Sequence, residues 1–138
     1  AIDEAQLIND ESVFEELRLL MNFQTETRFL LTLILSGQPE LKEKLDSNKQ
    51  FSQRITLSYH LKPLDFEETR KYVTHRLEVA GLTENIFEEK AIELLYERSG
   101  GIPRWINNIA NMSMLAAFSK GERIITEDLV TEGVESGR

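Results

Sequence analysis

Two adjacent carboxylates, Asp3 and Glu4, follow the apolar pair Ala1-Ile2 and precede Ala5-Gln6. In a phosphate-processing enzyme this order has a chemical use. A buried strand ends, its first carboxylate reaches a magnesium ion, and the next polarises an attacking water. Such a site also needs a loop that cradles the phosphates, Gly-x-x-x-x-Gly-Lys-Ser/Thr, and that pattern occurs nowhere in the 138 residues. The expectation is the back part of a nucleotide hydrolase without its front part. The competing reading is a solvated chain end or a first helical turn, where negative charge suits the helix dipole.

Three further positions carry chemistry. Leu35-Ser36-Gly37-Gln38 closes an apolar run, and in parallel α/β sheets ligands sit beyond the carboxyl ends of strands. Gln38 there can position a water or a γ-phosphate, or it can be a surface amide after a plain turn. Gln53-Arg54 precedes an alternating segment, and an arginine at such an entry either serves solubility or reaches a phosphate on a neighbouring subunit. In Ser99-Gly100-Gly101-Ile102-Pro103-Arg104, two glycines close one helix and a proline opens the next. Arg104 falls in that first turn, where helix energetics favour an acid. A nearby anion such as a nucleotide phosphate resolves the conflict, and so does pairing with a carboxylate. His60 and His75 lack partners spaced for zinc, Trp105 on a helical stripe reads as core, and no Gly-x-Ser-x-Gly elbow is present.

The elements that must position these residues follow from periodicity. Asp10 to Met21 reads as a helix with Val13, Leu17 and Leu20 on one face. Phe29 to Leu35 is short and almost continuously apolar, which predicts a strand buried on both faces. Pro39 opens a helix through Leu45. Ile55 to Leu61 alternates and predicts a strand with one wetter face. This order predicts α/β with a parallel sheet, ended at Pro63. Beyond it the chain reads helical. Asp65 with Glu68 makes a capping box for a helix to Ala80, ended by Gly81. Glu88 to Arg98 is a second helix. Pro103 to Phe118 is a third, with Trp105, Ile109, Met112 and Ala116 on one stripe, and Thr126 caps a fourth. The expected fold class is therefore α/β plus all-α, with half of a parallel-sheet core over residues 1–62 and about four helices over 63–138.

Composition narrows the function classes. An apolar content of 41% and a charged content of 29% describe a globular chain, and no apolar run reaches membrane-span length. Absence of cysteine excludes disulfides and thiolate metal sites. The net charge is −8; residues 1–62 carry 7 basic and 10 acidic side chains, and residues 63–138 carry 9 and 14. Neither part is suited to hold nucleic acid through its phosphates unaided.

Four blocks stand in order along the chain: Ile-Asp-Glu-Ala-Gln, Leu-Ile-Leu-Ser-Gly-Gln-Pro-Glu-Leu, Gln-Arg-Ile-Thr-Leu-Ser-Tyr-His-Leu-Lys-Pro-Leu and Ser-Gly-Gly-Ile-Pro-Arg. Together they resemble the AAA+ ATPases of the general secretion pathway protein A type, which are linked to bacterial type II secretion; the transposition-helper ATPases are also similar. The resemblance covers nearly the whole chain, from Walker B through the helical lid. It implies that Asp3 is the magnesium carboxylate, Glu4 the catalytic base, Gln38 the sensor 1 residue, Arg54 the arginine finger and Arg104 the sensor 2 arginine. It further implies ATP and Mg2+ as cofactors, a homo-oligomer, a protein partner in a secretion machinery, and a cytoplasmic place reaching to the inner face of the inner membrane. Because no counterpart of the family's phosphate loop is present, the chain by itself is expected to be inactive. Two rivals remain at this stage. Asp-Glu-Ala-Gln also resembles a helicase box, against which stand the acidic charge and the helical second half. A non-enzymatic module that docks a partner through its helices is the other.

Overall fold

A computed structural model describes residues 1–136. The chain divides into two compact units, Ala1–His60 and Leu61–Arg138. In the first, helices α1 (Glu11–Leu20), α2 (Glu40–Ser47) and α3 (Lys49–Ser52) follow a short 3-10 turn, Ala5–Leu7. The Asp10 carboxylate accepts the Ser12 N–H at 2.9 Å and starts α1. Asn48 ends α2 and starts α3, its side-chain oxygen accepting the Phe51 N–H at 3.0 Å. The buried apolar residues of this unit are Ala5, Phe14, Leu41 and Phe51. The rings of Phe14 and Phe51 meet edge to face, centroids 5.3 Å apart, and join α1 to α3.

The expected half of a parallel sheet is not there: the described residues contain no strand, and the chain is mostly helical, with seven α-helices. What remains of the pairing is a single parallel bridge between Ile2 and Leu35. Its bonds run from Ile2 N to Ile34 O (2.8 Å) and from Ser36 N to Ile2 O (2.9 Å). Upstream, Phe29 bridges back to Gln24 in a tight hairpin. The physical reason is that an apolar run becomes a doubly covered strand only when a partner lies along each edge and a layer covers each face. Here one residue of partner is present, and Phe29 stands 79% exposed. Ile55–Leu61, expected as a strand, forms no bridge; Leu57, Tyr59 and Leu61 are 84%, 82% and 85% exposed.

The second unit holds α4 (Phe66–Val79), α5 (Glu89–Ser99), α6 (Pro103–Lys120) and α7 (Glu127–Ser136). The capping box is present in both directions: Glu68 N donates to Asp65 Oδ1 at 2.8 Å and Asp65 N to Glu68 Oε2 at 2.9 Å. All four helices contribute to one core, including Val73 and Leu77, Ile92 and Leu95, Ile106 and Ile109, and Leu129 and Val130. Phe87 and Ile125 form a parallel bridge that sets the starts of α5 and α7 side by side. The buried stripe of α6 is Ile106, Ile109, Ser113 and Ala117, which is rotated from the expected one. Trp105 is thus 50% exposed rather than core. No helix among the described residues is long and apolar enough to cross a membrane.

Gly101 explains how the α5–α6 turn is anchored. It has φ +72°, and a Cβ there would lie 1.9 Å from Leu64 O. Leu64 N donates to Gly101 O at 2.9 Å, so the entry to α4 packs directly on this backbone. At Gly133, α7 comes equally close to α6: a Cβ would lie 2.7 Å from Ser113 Oγ and 2.8 Å from Ser113 N.

Gly133→Ala therefore has to push two helices apart, whereas Gly81, at φ +92° with open space around it, meets only backbone strain. Urea denaturation should show a loss of about 3 kcal/mol for Gly133→Ala and about 1 kcal/mol for Gly81→Ala. Equal losses would contradict the close packing of α6 and α7.

Candidate functional site

The Ile2–Leu35 bridge brings the two ends of the site together. Directly after it on one side stand Asp3 and Glu4; directly after it on the other stand Ser36, Gly37 and Gln38. The Ser36 hydroxyl donates to Asp3 Oδ1, and the same oxygen accepts the Glu4 N–H at 2.9 Å. These two donors, the hydroxyl first, hold the Asp3 carboxyl below the usual carboxylate range; slight burial opposes them. Asp3 Oδ2 has no hydrogen-bond partner among the described residues.

Glu4 is the one non-glycine residue with positive φ among the described residues, at φ 51° and ψ 36°. A left-handed glutamate costs about 1–2 kcal/mol, and a cost of that kind persists only where surrounding contacts impose it. They do so here. Ala5 is fully buried and its N–H donates to Ser36 O at 2.9 Å, while the 3-10 turn closes through Leu7 N to Glu4 O at 2.9 Å. Lys44 on α2 locks the far side of the turn, its ammonium donating to Gln6 O (2.5 Å), Ile8 O (2.6 Å) and Asn9 Oδ1 (3.4 Å).

Gln6 is not among the site residues that the sequence suggests, yet its side chain joins the Glu4 and Gln38 segments. Its Nε2 donates to Glu4 Oε2 at 2.5 Å, and its Oε1 accepts the Gln38 N–H at 3.2 Å. Gln38 thus meets the acidic turn through its backbone; its side chain is exposed. Nothing in the periodicity marks Gln6, and only its place two residues after Glu4 could have drawn notice.

Arg54 is exposed just beyond α3, where its backbone N–H donates to Phe51 O at 2.9 Å. Arg104 is exposed in the first turn of α6. Neither guanidinium has an ion-pair partner among the described residues, so the carboxylate pairing considered for Arg104 is not formed there. The structure therefore assembles Asp3, Glu4 and the Gln38 backbone, and leaves both arginines displayed. The cleft of the first unit opens beside Glu40, Glu43 and Lys44 and includes neither Asp3 nor Glu4, which lie on open surface.

No group of three or more metal-ligating side chains is formed among the described residues. Magnesium does not need one: it takes one or two carboxylates and completes its shell with waters and substrate phosphates. An exposed Asp3 carboxylate with one unpartnered oxygen fits that kind of site.

The chain is similar to known proteins along its whole length. A family model described as an AAA domain matches residues 1–45. General secretion pathway protein A of Aeromonas hydrophila is 45% identical over 126 residues, 90% of this chain and 23% of that protein. An uncharacterised HTH-type transcriptional regulator of Methanocaldococcus jannaschii is 31% identical over 98% of this chain and 34% of its own length. Two point mutants of Thermotoga maritima RuvB share the fold at TM-scores of 0.69 and 0.67, with 15% and 19% identity, covering 98% of this chain and 43% of theirs. The resemblance carried by the four sequence blocks is thus borne out. The chain spans about a quarter to a third of the curated relatives.

The Ser36–Asp3 bond has a pH signature. A depressed carboxyl contributes stability that is in place above the ordinary carboxylate value, about pH 4, and is lost as the pH falls through the lowered one. Ser36→Ala removes the larger of the two causes. NMR titration of the Asp3 side chain should show its pKa rising toward the ordinary value in Ser36→Ala, and stability near pH 3 changing less between variants than stability at pH 7. An unmoved Asp3 titration would contradict the bond.

Proposed function

We propose that this chain, similar over nearly its whole length to an AAA+ ATPase of the general secretion pathway protein A type, is the Walker B and lid portion of an ATPase that couples ATP hydrolysis to work on a protein partner in bacterial secretion. The observation that carries the reading is the acidic turn. Asp3 is fixed by Ser36, and Glu4 is held in a left-handed conformation just after the parallel bridge of Ile2 with Leu35.

In this reading residues 1–62 belong to the ATPase core and residues 63–138 form the lid. Asp3 supplies one carboxylate oxygen to the magnesium that accompanies ATP, which shields phosphate charge when bound. Glu4 accepts a proton from water as the water oxygen forms its bond to the γ-phosphorus. The bond from that phosphorus to the bridging oxygen breaks, ADP keeps the electron pair, and Glu4 later yields its proton to solvent. The products are ADP, inorganic phosphate and one proton. The exposed amide of Gln38 contacts the γ-phosphate or the water. Arg104, a cation displayed at a helix start where an anion is favoured, faces phosphate in its own subunit. Arg54 acts on nucleotide of a neighbouring copy in a homo-oligomer. The successive backbone amides and lysine that grip the β- and γ-phosphates have no counterpart in these residues, so they come from elsewhere in the full-length protein. The site of action is the cytoplasm, at the inner face of the bacterial inner membrane.

The test uses the full-length protein. Glu4→Gln keeps the shape but accepts no proton, so it should bind ATP and lose about 10²-fold or more in turnover. Mixing then separates the arginines. Arg54→Ala combined with Glu4→Gln forms interfaces where an intact Arg54 faces an intact Glu4, and ATPase should recover. Arg104→Ala combined with Glu4→Gln leaves every site short of one of its own residues, and ATPase should stay low. Near-normal turnover of Glu4→Gln would reduce the acidic turn to a polar chain segment. Mixed assemblies that form without recovery would remove Arg54 from the mechanism.

A further inference from the structure

The Gln6 amide touches both halves of the acidic site. Its two ends are chemically distinct: only the NH2 group can donate to the Glu4 carboxylate, and only the oxygen can accept the Gln38 N–H. The neighbours therefore fix the orientation of the amide. The amide oxygen also lies over Gly37, where a Cβ would come within 2.3 Å of it. A glycine is thus the residue that leaves room for the amide to sit between the two chain segments. Lys44, bonded to the carbonyls of Gln6 and Ile8, holds the backbone from which this side chain reaches.

We propose that Gln6 is a positioning residue that ties the Glu4 carboxylate to the Ser36–Gly37–Gln38 segment, so that a movement of that segment aims or releases the general base. The inference rests on the reading of Glu4 as that base. One planar amide makes both bonds. Glu4 therefore cannot turn away with its bond intact unless Gln6 turns, and Gln6 cannot turn without releasing the Gln38 N–H. Gln38 is the residue assigned to the γ-phosphate, so contact there is passed to Glu4 through two hydrogen bonds. A base must be held within hydrogen-bond reach of its water, and a misplacement of about 1 Å is enough to slow such a reaction strongly.

The experiment compares Gln6→Leu, Gly37→Ala, their double variant and Glu4→Gln in the full-length ATPase. Gln6→Leu keeps the length and removes both bonds. Gly37→Ala leaves Gln6 in place and displaces the flexible end of its side chain, so it reports on the same link where Gln6→Leu fails to fold. Each single variant should lower kcat about tenfold, with KM for ATP and the affinity for a non-hydrolysable ATP analogue within about twofold of the parent. The double variant should be no slower than Gln6→Leu, since both changes break one link. An unchanged kcat, a loss seen in KM alone, or losses that multiply in the double variant would each overturn the link. If Glu4→Gln is inactive while Gln6→Leu is not, the link alone fails. If Glu4→Gln retains turnover, the base assignment fails and the link with it.

Discussion

Everything that can be called a site here depends on one long-range pairing. Ile2 and Ser36 exchange backbone hydrogen bonds with residues more than 30 positions away, and Ala5 N adds a third to Ser36 O. Closing a loop of that length costs roughly 3 kcal/mol in chain entropy, and three such bonds return about 1 kcal/mol each. The pairing is therefore close to balanced by itself and relies on the packing of Ala5 and Leu41 and of Phe14 on Phe51 to persist. Once it forms, the rest follows locally. Ser36 reaches Asp3, Gln38 N–H reaches Gln6, and the chain between Asp3 and Ala5 is left with a left-handed residue at Glu4.

The two units divide the physical work. The second has a core fed by four helices, with a capping box at the start of α4 and left-handed glycines closing α5 and α6. Its contribution to the proposed function is Arg104, exposed just after the turn where Gly101 packs against Leu64. The first unit has few buried apolar residues and leaves large ones exposed from Phe29 to Ile34 and from Leu57 to Leu61. Its order is spent on holding two carboxylates and a serine–glycine–glutamine turn at fixed places.

This division also explains what was legible in the sequence. Helices carry their own boundaries: Asp65 with Glu68, Gly81, the Gly100-Gly101-Pro103 run and Asp10 each mark a start or stop through contacts within a few residues. Their placement was readable for that reason. A strand carries no such mark, because its pairing belongs to another part of the chain. The apolar run at Phe29–Leu35 reported a need for burial and not the presence of a partner. On α6 the core side includes Ser113 and Ala117, so hydrophobicity alone pointed to the face of Trp105. Asp3 and Glu4 were visible as residue types in sequence, whereas the Gln6 bridge and the left-handed Glu4 arise from a tertiary approach that no spacing encodes.

The central claim is that the turn at Asp3 and Glu4 faces the γ-phosphate of ATP. A crystal structure of the full-length protein with magnesium and a non-hydrolysable ATP analogue tests it most directly. The account predicts the metal held through Asp3, directly at about 2.1 Å or through one of its waters, with a water between Glu4 and the γ-phosphorus. A nucleotide bound with Asp3 and Glu4 facing bulk solvent would contradict it.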